Sequence, residues 1–306
     1  MRGGSDTTAG LVAATLGMIG WAASGVIVKG IDLPALVVVF WRMTIYAVAI
    51  VVVLRMRARP LTLRGIRISL PGGIALGLDI MLFFAAVKLT TVANATVIGA
   101  MQPVLLLAIS GPLFGERPHR SDWLLAGVAM AGVGLVMFGS AGVPESNLLG
   151  DFLALLTLFA WTAYFIYSKR TRDRIDAVEY TAGTAVVATA VAAPVALLSG
   201  QVAELPQGAM WFWLVVLALG PGFASHILVN WSLGRIPLWL GSTMTLAIPV
   251  ASVVLAWIFL GEQLVPAQIL GIVVVTGALA VLVLKPLQDR AVVVPSGPDE
   301  RAGSSS

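Results

Sequence analysis

Asp79, in the stretch GLDIMLFF, and His226, in FASHILVN, are ionisable groups set deep inside apolar runs. Charge is expensive in such surroundings unless it faces a cavity, water or a partner, so groups of this kind mark either a functional site or a tight helix contact. Asp79 shares a helical face with Gly72 and Phe83, and His226 lies one turn from Asn230. Asn94, Ile98, Met101, Gln102 and Leu105 recur at helical spacing, which places two amides and a thioether on one stripe. Trp161, Tyr164, Phe165 and Ser168 form an aromatic side that would stack against an aromatic or aliphatic group. A plainer reading stands beside each. Asp79 and His226 would serve as structural hydrogen-bonding groups, the amides as glue between helices, and the aromatics as packing or an interface belt.

These residue types hold a small molecule; they do not break its bonds. The chain has no cysteine, which removes disulfides, thiolate metal sites and cysteine nucleophiles. Its two histidines, His119 and His226, belong to no HExxH motif, and Ser225 and His226 are adjacent on a helix, about 100° apart, so they cannot form a dyad. No GxxxxGK[ST] loop occurs, so nothing here binds ATP in the manner of a primary pump. No metal and no cofactor is expected, and the chain is not read as an enzyme.

The elements that must position these residues follow from composition. The 306 residues are 58% hydrophobic and 11% charged, against about 25% charged in a soluble domain. The lipid bilayer is therefore the medium. A spanning helix needs about 20 mostly apolar residues, and ten segments qualify: 11–28, 35–54, 68–87, 92–112, 122–139, 148–168, 177–198, 210–232, 239–260 and 266–284. The first is long for a signal-peptide core and lacks a clean cleavage site, so it reads as a span. With the N-terminus inside, 16 of the 19 lysines and arginines fall in inner loops, which puts both termini in the cytoplasm. The net charge of +4 sits in those loops and not on one solvated face, which argues against nucleic acid as a partner.

Ala93 to Glu116 (ANATVIGAMQPVLLLAISGPLFGE) returns as LWLGSTMTLAIPVASVVLAWIFLGE, with Pro103 matching Pro249 and Gly115-Glu116 matching Gly261-Glu262. Trp21 to Lys29 is echoed by Trp161 to Lys169. Two copies of a five-span unit must lie upside down relative to each other, because five is odd. The loop after Glu116 is basic and the loop after Glu262 is not, as inversion requires. Pro103 and Pro249 are expected to kink their helices, with a gating or shaping role. Glu116 and Glu262 are expected to serve loops. Lys29, Lys88 and Arg42 are expected to snorkel outward, although Arg42 alone would suit a carboxylate. Trp211 and Trp239 read as belt anchors. Gly127, Gly132, Gly134, Gly271 and Gly277 would permit close helix packing or a dimer surface.

Together, WAASGVIVK, the arginine of FWRMTIYA, the two proline helices, the two Gly-Glu endings and the glycine-rich AGVAMAGVGLVMFG and LGIVVVTGALAVLV resemble the drug/metabolite transporter superfamily, in its EamA-domain branch. Within that branch the overall likeness is to YddG-type exporters of aromatic and other neutral amino acids. The resemblance implies a bacterial inner-membrane carrier that moves small metabolites outward by alternating access of two inverted halves.

The expected fold is therefore all-α: a polytopic membrane protein of ten transmembrane helices built as two inverted five-helix repeats, 1–146 and 147–286, with a disordered cytoplasmic tail at 287–306. The expected substrate contacts are Asp79, Phe83, Asn94, Met101, Gln102, Trp161, Tyr164, Phe165, His226 and Asn230, around a central cavity. A small-molecule substrate and the bilayer are the expected partners, with the chain a monomer or homodimer. Purines, amines or cationic compounds as cargo, or a non-transporting scaffold or sensor, are the alternatives.

Overall fold

The chain is described by a computed structural model that covers residues 4–29, 31–56, 61–89, 98–140, 148–200, 205–260 and 264–291. Among these residues there is no strand; every element is helical. In chain order they are α1 (Gly4–Lys29), α2 (Ala35–Met56), α3 (Leu63–Leu89), α4 (Gln102–Phe114), α5 (Arg120–Ser140), α6 (Leu148–Arg170), α7 (Ala177–Leu198), α8 (Ala209–Leu217), a π-helical stretch Ala218–Ala224, α9 (Ser225–Leu233), α10 (Leu238–Met244), α11 (Ala247–Leu260) and α12 (Pro266–Ala291). Apolar runs of this length fold as helices in lipid because only a helix satisfies its backbone within one segment. Seven helical segments among the described residues are long and apolar enough to cross a bilayer, and Gln102–Phe114 and Pro266–Leu282 are shorter apolar helices.

The helices begin and end where local chemistry directs. Asp176 caps α7, its carboxylate accepting from the Val178 and Glu179 amides at 2.8 and 2.9 Å. Gly115 closes α4 in the left-handed region at φ 66°, where a side chain would be strained, and its N–H reaches the Gly111 carbonyl at 2.8 Å. Pro103 and Pro249 do not kink continuous helices, as the sequence had suggested. Each lies in the first turn of a fresh helix, after a tight turn at 100–101 or 245–246. Proline lacks an N–H, and the first turn is where none is needed, so a break upstream is the cheaper solution. The chain α8, π stretch and α9 runs on as one segment, Ala209–Leu233, with Pro221 inside the π turns. The helix α12 extends to Ala291, past the expected start of the tail, and residues 292–306 lie outside the described residues.

Packing follows a paired plan. The helix α3 lies against α6 and α7, α1 against α9 and α11, α4 against α10, α2 against α7 and the π stretch, and α5 against α12. Among the described residues, exchanging elements for those 140 to 146 residues along the chain returns matching contacts in three cases: α3 on α6 becomes α9 on α1, α3 on α7 becomes the π stretch on α2, and α5 on α12 maps to itself. Small residues make the closest approaches. Gly72 and Gly73 meet Tyr180, Thr184 and Val187, and Gly132 meets Val274 and Val275, whereas Gly127, Gly134 and Gly277 face open space.

A Gly73→Leu chain is therefore expected to lose roughly 1–3 kcal/mol from overpacking α3 against Val187, read as a lower melting temperature in detergent. Gly127→Leu, on an open face, is expected to leave the melting temperature unchanged.

Candidate functional site

Five of the elements that the packing plan brings together, α1, α2, α6, α7 and α9, carry a polar and aromatic cluster in the interior. Asn230 on α9 is its hub. The carboxamide Nδ2 donates to the Tyr164 hydroxyl and to Thr181 Oγ1, both at 2.9 Å, and the carboxamide oxygen accepts from Ser168 Oγ. The Tyr164 hydroxyl shares a 3.0 Å hydrogen bond with His226 Nδ1, the roles set by the histidine tautomer. Asn230, Tyr164, Ser168 and Thr181 are fully buried, and His226 nearly so. Each polar atom in this network finds its partner across a helix boundary, which ties α6, α7 and α9 together.

Aromatic rings enclose the network. Trp21 on α1 meets Trp161 edge-on at 5.2 Å and His226 at 4.9 Å; Trp161 stacks on Tyr164 at 5.4 Å and meets Phe165 at 4.9 Å; Tyr46 on α2 stacks on His226 at 5.9 Å. Trp21 and Trp161 are the partly exposed members. Such a box offers flat apolar faces with a few donors and acceptors between them, the usual construction of a small-molecule site.

Charge reaches the box from α2 and α3. Arg42, one turn before Tyr46, turns inward: its Nε is buried and has no hydrogen-bond partner. That corrects the expectation that it snorkels to the outer face. The Arg42 guanidinium interacts electrostatically with Asp79, Tyr46 and His226, and Asp79 with Tyr164. Arg42 and Asp79 thus lie on electrostatic terms beside one aromatic cluster.

The candidates divide accordingly. Trp161, Tyr164, Phe165, His226 and Asn230 come together, and Asp79 joins them through Arg42. Gln102 is buried between α4 and α10, its Oε1 facing Ser242 Oγ at 3.5 Å and its Nε2 without a partner. Met101 lies at the start of α4 with 44% of its surface exposed, so it and Gln102 do not share a buried stripe. Phe83 packs apart, with Ala86, Leu153 and Ala154. Asn94, Glu262 and the side chains of Lys29 and Lys88 lie outside the described residues. Trp239 is buried in the core and is no belt anchor, while Trp211 packs on Trp41 at 4.8 Å. An apolar cleft of about 280 Å³ lies elsewhere, between Met18, Met244, Val250 and Val275, and is lined by no ionisable group.

The sequence reading missed Trp21, Tyr46, Thr181 and Arg42 as members of the site. The Arg42–Tyr46 spacing, four residues in an apolar helix, was the available signal. It also underrated Glu116. Its carboxylate accepts from the Leu238 N–H at 2.8 Å and the Trp239 N–H at 3.3 Å, and pairs with Lys169 Nζ at 2.7 Å. Lys169 in turn donates to the Ile236 carbonyl at 3.0 Å. One carboxylate so ties the end of α4, the end of α6 and the start of α10.

The EamA-like transporter family pattern matches residues 8–138 and again 148–284. The chain belongs to the EamA-like transporter family. It is 24% identical over 213 residues to an uncharacterized transporter of Synechocystis, covering 69% of this chain and 64% of that one. It is 25% identical over 215 residues to the uncharacterized transporter YwfM of Bacillus subtilis, covering 68% of this chain and 70% of that one. It is 28% identical over 181 residues to the aromatic amino acid exporter YddG of Ancylobacter novellus, covering 56% of this chain and 60% of that one. The chain thus spans less than two-thirds of the length of two of these relatives. A solved crystal structure shares the fold at a TM-score of 0.78 and 22% identity, covering 92% of this chain and 98% of that one. Repeated family matches and several apolar helices make this a multi-pass membrane protein of that family.

Asn230→Leu would leave the buried Ser168 hydroxyl without its partner, at about 1–3 kcal/mol, and take one bond each from Tyr164, which keeps His226, and Thr181, which keeps the Ala177 carbonyl. The expected outcome is a clearly lower melting temperature in detergent, with Tyr164→Phe costing less because it removes one hydroxyl.

Proposed function

We propose that this protein is a secondary transporter of the bacterial inner membrane that exports small zwitterionic metabolites, neutral and aromatic amino acids first among them. The observation that carries the reading is the central cluster: aromatic rings of Trp21, Trp161, Tyr164 and Phe165 with Arg42 and Asp79 on electrostatic terms beside them, which would form the walls of a substrate chamber. A guanidinium suits a carboxylate, a carboxylate suits an ammonium, and the rings suit an apolar side chain. Cationic drugs and simple amines would meet Arg42 as an adverse charge, and purines would leave both ionic groups without partners. The name of the Ancylobacter relative supports amino acids as cargo.

The mechanism proposed is alternating access of two inverted five-helix halves in a ten-span body, with both termini cytoplasmic. The exchange symmetry of the helix contacts and the doubled family match support two equivalent halves. The broken segments at Pro103 and Pro249 sit at corresponding places, as discontinuous helices do in inverted-repeat carriers. On the side that the positive loops would make cytoplasmic, Glu116 with Lys169 and the α10 amides ties α4, α6 and α10 together, a contact suited to closing that side of the chamber. With no ATP site in the sequence, the substrate gradient or a coupled ion supplies the driving force.

Purified protein in liposomes is expected to show counterflow of L-phenylalanine, and its absence for every neutral amino acid would end the substrate assignment. Arg42→Gln is expected to raise KM about tenfold or more, the loss of one charge-assisted contact. Asp79→Asn is expected to keep the fold and alter the dependence of transport on a pH gradient; an unchanged pH profile removes Asp79 from the mechanism. For the latch, the absence of native cysteine makes labelling direct. Ser242→Cys, buried beyond Leu238, is expected to resist an impermeant maleimide and to react several-fold faster when Glu116→Gln is added.

A further inference from the structure

Between α6 and α7 the chain reads Lys169-Arg170-Thr171-Arg172-Asp173-Arg174, a run that ordinary positive-inside logic would place in water. Arg170 and Arg174 do lie exposed. Arg172 does not. Its Nε donates to the Ser168 carbonyl at 3.0 Å, which turns the side chain back under α6, and its guanidinium lies 4.8 Å over the Tyr180 ring. Both terminal nitrogens are buried without a hydrogen-bond partner. Burial pulls the Arg172 pKa down from the ordinary arginine value, with Tyr180, Tyr164 and Asp176 opposing. The Asp176 carboxylate takes the amides that start α7 on its Oδ1.

A guanidinium with its outer edge dry and empty is a costly arrangement, and surface water was within reach of its two neighbours. The edge that remains free is the pair of terminal NH₂ groups, which accepts a carboxylate through two parallel hydrogen bonds. The position is also continuous with the chamber: Ser168 takes the Arg172 Nε on its carbonyl and gives its own hydroxyl to Asn230, and Tyr180 stacks towards Tyr164 at 6.4 Å.

We propose that Arg172, with Tyr180, is a carboxylate-binding station on the closed side of the chamber, which holds the substrate's acid group as that side opens. The proposal rests on the export reading, and it divides the labour between two arginines: Arg172 receives the carboxylate on entry and Arg42 takes it in the chamber. The Glu116–Lys169 latch lies in the same layer, since Lys169 and Arg172 belong to one turn. Opening of the latch therefore uncovers the station.

The experiment uses inside-out vesicles, in which the cytoplasmic side meets the medium, with L-phenylalanine as the probe. Arg172→Gln is expected to raise KM for counterflow at least tenfold with kcat within about twofold, and Arg172→Lys to recover part of the loss. Inhibition by 2-phenylacetamide, which is uncharged and has no carboxylate, is expected to be the same in wild type and variant. An unchanged KM, or an equal loss for acid and amide, overturns the station. If the wild-type protein moves no L-phenylalanine, the export reading fails and the station is judged by melting temperature in detergent. Phenylacetate at millimolar concentration is expected to raise the melting temperature of the wild type and not that of Arg172→Gln; equal shifts overturn it. Without ligand, Arg172→Gln is expected to melt no lower than wild type, because it removes a buried charge whose terminal nitrogens have no hydrogen-bond partner. A drop would mark Arg172 as a structural strut and likewise overturn the proposal.

Discussion

A single carboxamide holds the interior of this protein together. Asn230 offers two hydrogens and one oxygen, and hydroxyls of Tyr164, Thr181 and Ser168 meet them, so helices far apart in sequence are fastened at one point. In a bilayer there is little hydrophobic drive to press helix on helix, because lipid tails are as apolar as leucine; directional bonds and close fit must do what burial does in water. The rings of Trp21, Tyr46 and Trp161 can stand around His226 only because that fastening fixes where α9 lies. The glycine contacts of α3 on α7 and α5 on α12 complete the same task without polar groups.

The frame was legible in the sequence because it rests on long-range regularities. Hydropathy located the helices to within a few residues over most of the chain: 35–54 became Ala35–Met56, and 177–198 became Ala177–Leu198. The aromatic stripe on α6 and the His226–Asn230 pair were readable too, since helical spacing alone puts them on common faces. What escaped was everything decided by the partner across the gap. Nothing within the sequence of α7 tells that Thr181 lies opposite Asn230, or that Arg42 points in and Met101 out. Periodicity states which residues of one helix share a face, but not which face is turned to which neighbour.

Proline illustrates the same limit at the level of the backbone. Both prolines were visible as breaks in the pattern, and kink and break satisfy equally the rule that an N–H is missing. The choice fell to the turns before them, at 100–101 and 245–246, which carry no sequence mark as strong as the proline itself. Glu116 escaped for a related reason. A carboxylate after a terminal glycine reads as a loop residue, and its real partners, the Leu238 and Trp239 amides, are 122 and 123 residues away.

The π-helical stretch Ala218–Ala224 sits directly before His226 and Asn230. A π turn accommodates one residue more than an α turn, and each residue of an α-helix advances the side-chain direction by about 100°. The stretch thus works as a phase setting. It decides the compass bearing of the side chains that follow on the same helix. Return those seven residues to α-geometry and the same His226 and Asn230, unchanged in kind and in depth, would face a different neighbour. The aim of the chamber's hub is written in the winding of the helix beneath it.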